Sequence, residues 1–455
     1  MSIITLSPNR YYRYILFLLF LIILFFTIPS LHSPSSRTIS SEIPTDVCGL
    51  EESSDSCTDD SSTTESELEL ELDGIKIDLG SVVSNIQESV ERNGKKYDED
   101  WYRNELGFKI RYEDLGQYRS ILKGIWKRYF SNDIEENHRG NKLDDILRYT
   151  NFIRSRSGVA GRQENAIPKD IYTTSMEDPD KLPDQFDSWT KENKDHNVRF
   201  VDDNGIDDWL EEALSPASGV GKEMKWLKDE GRWGVVRSDL FRYLVLLLYG
   251  GIYTDTDTAC IRPISEWGKS PIKYQSDNPL IEALPQLLSL SSSSTHERYP
   301  ISVEADDAPS LIVALEVDSP ASNTDWRSET FVRGIQIVQW TIASKKGHPI
   351  LLDVIGHALE KVRELREAEE RGWEVDDEQD ILEWSGPGAF TDAVFRYLLI
   401  RYGFHPKSVS GYDKPLRVGD VLIMPVYSFR ADASEGYQGD EKVVWHGFFG
   451  RWKPT

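Results

Sequence analysis

The sequence predicts an α/β fold, and three observations carry the prediction. Short β-type runs alternate with helical segments through the second half of the chain. One apolar helix is followed by a Gly-Gly break and a strand that ends in two aspartates, GGIYTDTD. At 455 residues the chain is long enough for one large domain or two smaller ones, with ample core.

The first elements precede that fold. Residues 1–13 form a short basic tail, and Ile15 to Ile28 contains 13 Ile, Leu or Phe residues and one Thr. On an insertion scale this run is favourable by about 4–8 kcal/mol, enough to hold it in a bilayer. Flanking tyrosines extend it toward the roughly 20 residues of a full span, so residues 14–31 read as a transmembrane helix. Arg10 and Arg13 precede the run and the next base is Arg37. The positive-inside rule puts the N-terminus in the cytosol and the remainder in a lumen. A cleaved signal peptide is the alternative, but no Ala-x-Ala-like site follows Ile28, so the segment reads as a signal anchor. Residues 32–93 read as an acidic, Ser/Thr-rich disordered stem. Between Glu42 and Asp78 it holds 13 acids and one base, Lys76, nearly half of the excess behind a net charge of −25. Such a charge excludes a nucleic-acid partner. Cys48 and Cys57 lie in the stem and can pair in an oxidising lumen; Cys260 is left over as a small buried residue. No Asn-x-Ser/Thr sequon and no metal-type Cys/His spacing occur.

Residues 94–160 read as a helical stalk or a collar on the main domain, which spans 161–455. There the order is strand Ile167 to Thr173, helix Phe186 to Glu192 and strand Val198 to Val201. A helix follows whose apolar positions Val236, Leu240, Tyr243, Leu244, Leu247 and Leu248 fall at helical spacing; Gly250 and Gly251 end it. IYTDTD is a short buried strand, and about 271–309 is an inserted Ser-rich loop. Phe331 to Ser344 and Pro349 to Glu369 read as two helices broken at Gly347. Next come an acidic loop, the turn Gly386-Pro387-Gly388, a helix Phe390 to Tyr402, a strand LIMPVYSF and the terminal VVWHGFFGRWK.

In a strand, residues two apart share a face, so Asp255 and Asp257 present both carboxylates together. Unpaired, they repel and one is pushed toward protonation. A divalent cation removes the conflict, and hard oxygens suit Mn²⁺ or Mg²⁺. Two side chains do not complete an octahedron, so water or a ligand's phosphates fill it, which is how a metal holds a departing nucleotide diphosphate. Alone, D-x-D is a weak signal that more often marks a turn of solvated acids.

The context narrows this. VVRSDLFRYLVLLLYGGIYTDTDTACIRPI resembles the nucleotide-sugar signature of the family 32 glycosyltransferases, matching at Arg237, Asp239, Arg242, Tyr243, Gly250, Gly251, Ile252, Tyr253, Asp255 and Asp257. FVRGIQIVQWTIASKKGHPILL, SGPGAFTDAVF and VVWHGFFGRWK resemble the branch of fungal initiation-specific α-1,6-mannosyltransferases of the Golgi. That resemblance implies a GT-A type, Rossmann-like domain with its donor site at strand C-terminal ends. It implies GDP-mannose as donor, an oligomannose glycoprotein as acceptor and Mn²⁺ as cofactor. Asp257 and Asp255 are then the catalytic pair: Asp257 binds the metal with the donor diphosphate, Asp255 reaches the metal shell or the ribose, and His446 is a further metal ligand. Arg237, Asp239, Tyr253 and Gly251 are expected to bind substrate. The implied location is the Golgi membrane, single-pass type II with the catalytic domain lumenal, in complex with other Golgi mannosyltransferases. Two departures stand out: Thr256 and Thr258 flank Asp257, and Arg451 replaces a common serine before the last tryptophan.

An α-1,6 linkage made from GDP-α-mannose retains configuration. Retention uses either a carboxylate nucleophile or a same-face attack in which the leaving phosphate takes the acceptor proton; the resemblance implies the second. Two rivals stay open. A relative acting on inositol-phosphoceramide would carry further spans near its C-terminus, and no second run of about 18 apolar residues exists. A catalytically silent subunit or lectin would have no need of the intact acid pair.

Overall fold

The computed structural model describes residues 69–72, 75–130, 142–152, 154–155, 166–175, 182–215, 217–231, 233–281, 284, 301–302, 308–329, 331–373, 380–430 and 442–449. All belong to one compact unit, Thr64–Thr455. The tail, the anchor at 14–31, Cys48, Cys57 and Arg451 lie outside the described residues. Among the described residues no helix is long and apolar enough to cross a membrane.

The end of the predicted stem is ordered. Strands β1 (Glu69–Leu72) and β2 (Ile75–Asp78) form a hairpin that leads into helix α1 (Leu79–Gly94). Asp78 caps α1 by accepting from the Gly80 amide at 2.9 Å, and Leu79, Val82, Val83, Ile86 and Val90 form its buried stripe. The acidic run before it masked this apolar period. Helices α2 (Glu99–Leu106), α3 (Leu115–Tyr129) and α4 (Lys142–Arg148) and strand β3 (Arg154–Ser155) complete the collar. It is fastened to the rest of the unit: Trp326 Nε1 donates to the Glu105 carbonyl at 3.1 Å, and Lys109 pairs with Glu383 at 2.9 Å.

The remaining strands and helices alternate. They are β4 (Asp170–Thr174), α5 (Ser188–Glu192), β5 (Asn197–Val201), α6 (Asp203–Ala213), α7 (Gly219–Glu230), α8 (Gly234–Leu248), β6 (Gly251–Thr254) and β7 (Thr258–Cys260). Then come β8 (Ile272–Lys273), β9 (Ile301–Ser302), β10 (Leu311–Asp318), α9 (Ser319–Ser322), β11 (Ile335–Ile337) and β12 (Thr341–Ser344). The series ends with α10 (Pro349–Glu370), α11 (Ile381–Trp384), α12 (Pro387–Tyr402), β13 (Leu416–Val418), β14 (Val421–Met424) and β15 (Val444–His446). Nine strands make one mixed sheet in the order β5-β4-β6-β12-β10-β14-β13-β8, with β11 paired to β10. Strands β5, β4 and β6 run parallel, β12 runs against β6 and β10, and β10 is parallel to β14. The sheet is covered on both faces. Leu311, Val313 and Leu315 of β10 join the core of α8, α10 and α12, while Ile312 and Ala314 join Trp189, Trp267, Trp340 and Phe429 on the other side.

Two expectations are corrected here, and one strand is added. Phe331 to Ser344 is not a helix but the strands β11 and β12. Its β-branched residues are buried on both faces, so the period-two alternation of a strand is absent. The central strand β10 goes unassigned in the sequence for the same reason. The segment read as an inserted loop supplies β8, which pairs with β13 at the sheet edge, and β9, which pairs with β3.

The Gly-Gly break also has a physical cause. Gly250 and Gly251 have φ of +70° and +110°, a region that other residues rarely adopt. A Cβ on Gly251 would lie 2.5 Å from the Asp170 carbonyl oxygen, and one on Gly250 2.6 Å from the Lys346 amide. Helix α8 can therefore turn directly into β6 between β4 and β12.

Candidate active site

Strand β6 stops at Thr254, so the two aspartates stand in a turn and not on one strand face as the sequence suggests. The turn is tightly specified. The Asp255 amide donates to the Trp340 carbonyl at 2.9 Å, and Thr258 Oγ1 donates to the Asp255 carbonyl at 2.7 Å. Thr258 Oγ1 also joins a hydroxyl chain with Thr254 and Thr341, at 2.8 Å for each link, and accepts from Trp189 Nε1 at 3.0 Å. A hydroxyl at position 258 thus holds the turn shut.

β7 then pairs with β15, with His446 opposite Thr258, which carries the C-terminal imidazole to the acid pair. The Gly447 amide donates to the Asp257 carbonyl at 2.7 Å, and the Phe449 amide donates to Asp257 Oδ2 at 3.1 Å. One ligand atom each from Asp255, Asp257 and His446 lie within 4.8 Å of one another. His446 Nε2 is 3.3 Å from Asp257 Oδ1. Ligands about 2.1 Å from a shared centre stand about 3–4 Å apart; the His446–Asp257 contact has that spacing, and Asp255 stands within 4.8 Å of both. Two carboxylates and an imidazole suit Mn²⁺ or Mg²⁺, the nitrogen favouring the former. Trp340 stacks on the imidazole at 4.2 Å and Phe448 meets it edge-on at 4.1 Å, which fixes the ring. The Phe448 amide donates to Nδ1 at 3.2 Å, so Nε2 carries the ring hydrogen toward Asp257, and an ion bound at Nε2 takes that hydrogen's place. Burial, the largest influence on Asp257, pushes its pKa up, but His446 and the Phe449 N–H outweigh it and the carboxyl titrates below its usual range.

Asp255 is held from behind. Arg242 Nη2 donates to Asp255 Oδ1 at 2.9 Å, and Nη1 donates to Asp239 Oδ1 at 2.8 Å. The guanidinium lies over the Tyr253 ring at 4.6 Å. Asp239 also accepts from Gln339 Nε2 at 2.6 Å and Ser385 Oγ at 2.8 Å. Burial drives the Asp239 pKa up to about 6 despite these three donors. Burial also works against the Arg242 charge, but the Asp255 carboxylate more than restores it, so this arginine keeps its proton.

The site residues read from the sequence therefore divide. Asp255, Asp257 and His446 converge, and Asp239 joins them through Arg242. Tyr253 is buried beneath Arg242. Gly251 stands at the far end of β6, about 13 Å upstream at strand rise, where its role is backbone passage. Arg237 bonds to the Asp203 carbonyl at 3.0 Å and to the Asp207 carboxylate on α6, not to Asp239. The Gly386 turn places Ser385, whose carbonyl accepts from Tyr243 at 2.9 Å. Glu316 was missed altogether. It is buried on β10 and accepts from Gln336 Nε2 at 2.7 Å; burial raises its pKa. The sequence signal for it is a lone acid in an apolar run, LIVALEVD.

Residues 179–273, which carry this acid pair and helix α8, match the glycosyltransferase sugar-binding region containing the DXD motif. With a mixed α/β sheet and an acid–acid–imidazole cluster at the end of a parallel strand, the chain is a glycosyltransferase. It is similar to the initiation-specific alpha-1,6-mannosyltransferase of Candida albicans, at 26% identity over 64% of this chain and 73% of that protein. The protein of the same name from Schizosaccharomyces pombe is 32% identical over 48% of this chain and 47% of its own length. Among solved structures, the PaToxG glycosyltransferase aligns over 65% of this chain and 99% of its own, at 13% identity and a TM-score of 0.30.

Proposed function

We propose that this chain is a GT-A type enzyme that transfers mannose from GDP-mannose to a mannose-containing glycan, forming an α-1,6 linkage with retention of configuration. The observation that carries the reading is the convergence of Asp255, Asp257 and His446 within 4.8 Å, in a chain similar to two α-1,6-mannosyltransferases. The donor set favours Mn²⁺, and a cation bound there supplies positive charge to the donor diphosphate.

The chain's own residues do the rest by positioning and by fixed charge. Arg242 holds Asp255 and Asp239 in one plane of hydrogen bonds. The Gly447 and Phe449 amides hold Asp257, and Trp340 and Phe448 hold His446. No side chain has to act as a nucleophile. The bond from mannose C1 to the phosphate oxygen breaks as C1 bonds to the acceptor hydroxyl oxygen on the same face, and the hydroxyl proton passes to the departing phosphate. Residues 14–31 anchor the enzyme in the Golgi membrane with the catalytic unit in the lumen, within reach of glycoprotein acceptors and partner mannosyltransferases.

Purified chain incubated with GDP-mannose, Mn²⁺ and defined oligomannose acceptors should release GDP and give a product whose new linkage maps as α-1,6. Consumption of a different nucleotide sugar in preference to GDP-mannose would overturn the donor assignment. Protease protection of the catalytic unit in sealed vesicles tests the topology.

A further inference from the structure

The candidate ion site leaves a charge problem. Asp239 on α8 and Asp255 and Asp257 in the turn after β6 lie close together, and Arg242, the cation among them, is committed to Asp239 and Asp255. A divalent ion offsets the acids that hold it. It leaves little to meet a nucleoside diphosphate, which gains a further negative charge as it departs. A second cation with unengaged donors is needed, and the other buried arginines do not qualify. Arg237 is tied to Asp203 and Asp207, Arg333 to Asp392 and Glu383, Arg366 to Glu223 and Glu370, and Arg401 to the Tyr149 and Asn151 carbonyls.

Arg430 does. Among the described residues it makes no hydrogen bond or ion pair, in a chain with 77 acids against 52 bases. Aromatic rings hold it instead. Its guanidinium lies 5.3 Å from the Phe448 ring centre and 6.0 Å from that of Phe331. Contacts of this kind hold a guanidinium through ring faces without using its N–H donors, and the N–H fork of an arginine matches phosphate. The location is specific as well. Phe448 is the ring that packs edge-on against His446 at 4.1 Å, so one phenyl group spaces the arginine from the candidate ion ligand. Phe448 reaches that position with φ of +50°, an unfavourable backbone state for a residue with a side chain. The chain thus holds a turn that seats one ring between a candidate metal-ligating imidazole and a guanidinium that, among the described residues, makes no hydrogen bond or ion pair, its charge interaction being with buried Glu316.

We propose that Arg430 is a catalytic residue that grips the diphosphate of the nucleotide-sugar donor and offsets its charge as the sugar leaves. This rests on the donor reading above. Arg430 donates to phosphate oxygens and takes no proton; the bond changes are those of the transfer step already given.

The test uses the full chain, with Arg430→Gln and Arg430→Lys. Affinities for GDP and for GMP are measured calorimetrically with Mn²⁺ present, beside kcat for mannosyl transfer. The exposed position makes both variants foldable, which thermal melting checks. In Arg430→Gln, GDP binding should weaken about 10- to 100-fold, the scale of a charged hydrogen bond, with GMP binding little changed and kcat down at least as far. Arg430→Lys should recover part of the loss. Unchanged GDP affinity and kcat in Arg430→Gln would overturn the proposal, as would equal losses for GDP and GMP. If the wild-type chain binds neither nucleotide, the donor reading itself fails and takes this inference with it.

Discussion

Replacing Asp257 with asparagine tests the ion site while sparing the turn. The amide oxygen of Asp257→Asn can still accept from the Phe449 amide, now 3.1 Å from Oδ2, so β7 and β15 should stay paired. What disappears is one of the two candidate anionic ligands and the partner 3.3 Å from His446. In the wild type, Mn²⁺ at a hundred times its Kd should stabilise the fold by about 2.7 kcal/mol. If the substitution weakens the ion a hundredfold, the same concentration equals the new Kd and the gain falls to about 0.4 kcal/mol. Turnover should drop by about 10²–10³, the scale for losing one preorganised electrostatic contact. Urea unfolding with and without Mn²⁺ reads the first quantity, and mannosyl transfer at saturating donor reads the second. The two must fall together. An Asp257→Asn variant with the full manganese-induced shift would refute the ligand assignment, whatever its activity.

Other substitutions probe the frame around that site. Asp239 holds its proton to about pH 6 in the folded chain, against an ordinary aspartate value near 3.8. Between those pH values the unfolded chain binds fewer protons, so stability should fall as pH rises through the window, by about 3 kcal/mol at most. Urea midpoints at pH 4.5 and 6.5 should show that slope in the wild type and a flatter one in Asp239→Asn. Gly251→Ala places a Cβ 2.5 Å from the Asp170 carbonyl oxygen at φ +110°, and should cost at least about 1–3 kcal/mol or block folding, read by thermal melting. Arg333 is fully buried between Asp392, at 2.7 and 3.0 Å, and Glu383, at 2.9 Å. Arg333→Met leaves buried Asp392 without its counter-charge and Glu383 with Lys109 alone, and should destabilise by about 3–5 kcal/mol in urea titration.

The features that were legible in the sequence are those whose cause is local. Helix α8 shows its apolar period, the glycines mark a backbone that no Cβ could follow, and the two acids stand where the chain leaves the core. Strands buried on both faces lack any local period to read. LIVALEVD and FVRGIQIVQWTIAS are almost continuously buried, so one went unassigned and the other resembled a helix. The supporting shell was hidden for a different reason. Glu316 meets Gln336 across a sheet, Gln339 reaches Asp239 from 100 residues away, and Trp340 stacks on His446 only because β15 returns to β7.

The acid pair belongs to one short segment, but the groups that fix its charge and direction come from five others: α8, the link before β12, the turn before α12, β15 and the residues that follow it. Each contributes one or two hydrogen bonds or a ring face. A carboxylate pair alone would be a solvated turn, repelling and mobile. Arg242 gives Asp255 a fixed donor, and Phe449 and His446 give Asp257 two more, so both oxygens that face the shared centre are aimed before any ion arrives. Preorganisation of this kind is what distinguishes a catalytic charge from a surface one. By that logic a substitution in the shell, such as Gln339→Leu, should slow transfer while leaving the manganese-induced stabilisation nearly intact, because it disturbs Asp239 without touching an ion ligand. Equal loss of both in that variant would show that Asp239 and the ion site act as one unit.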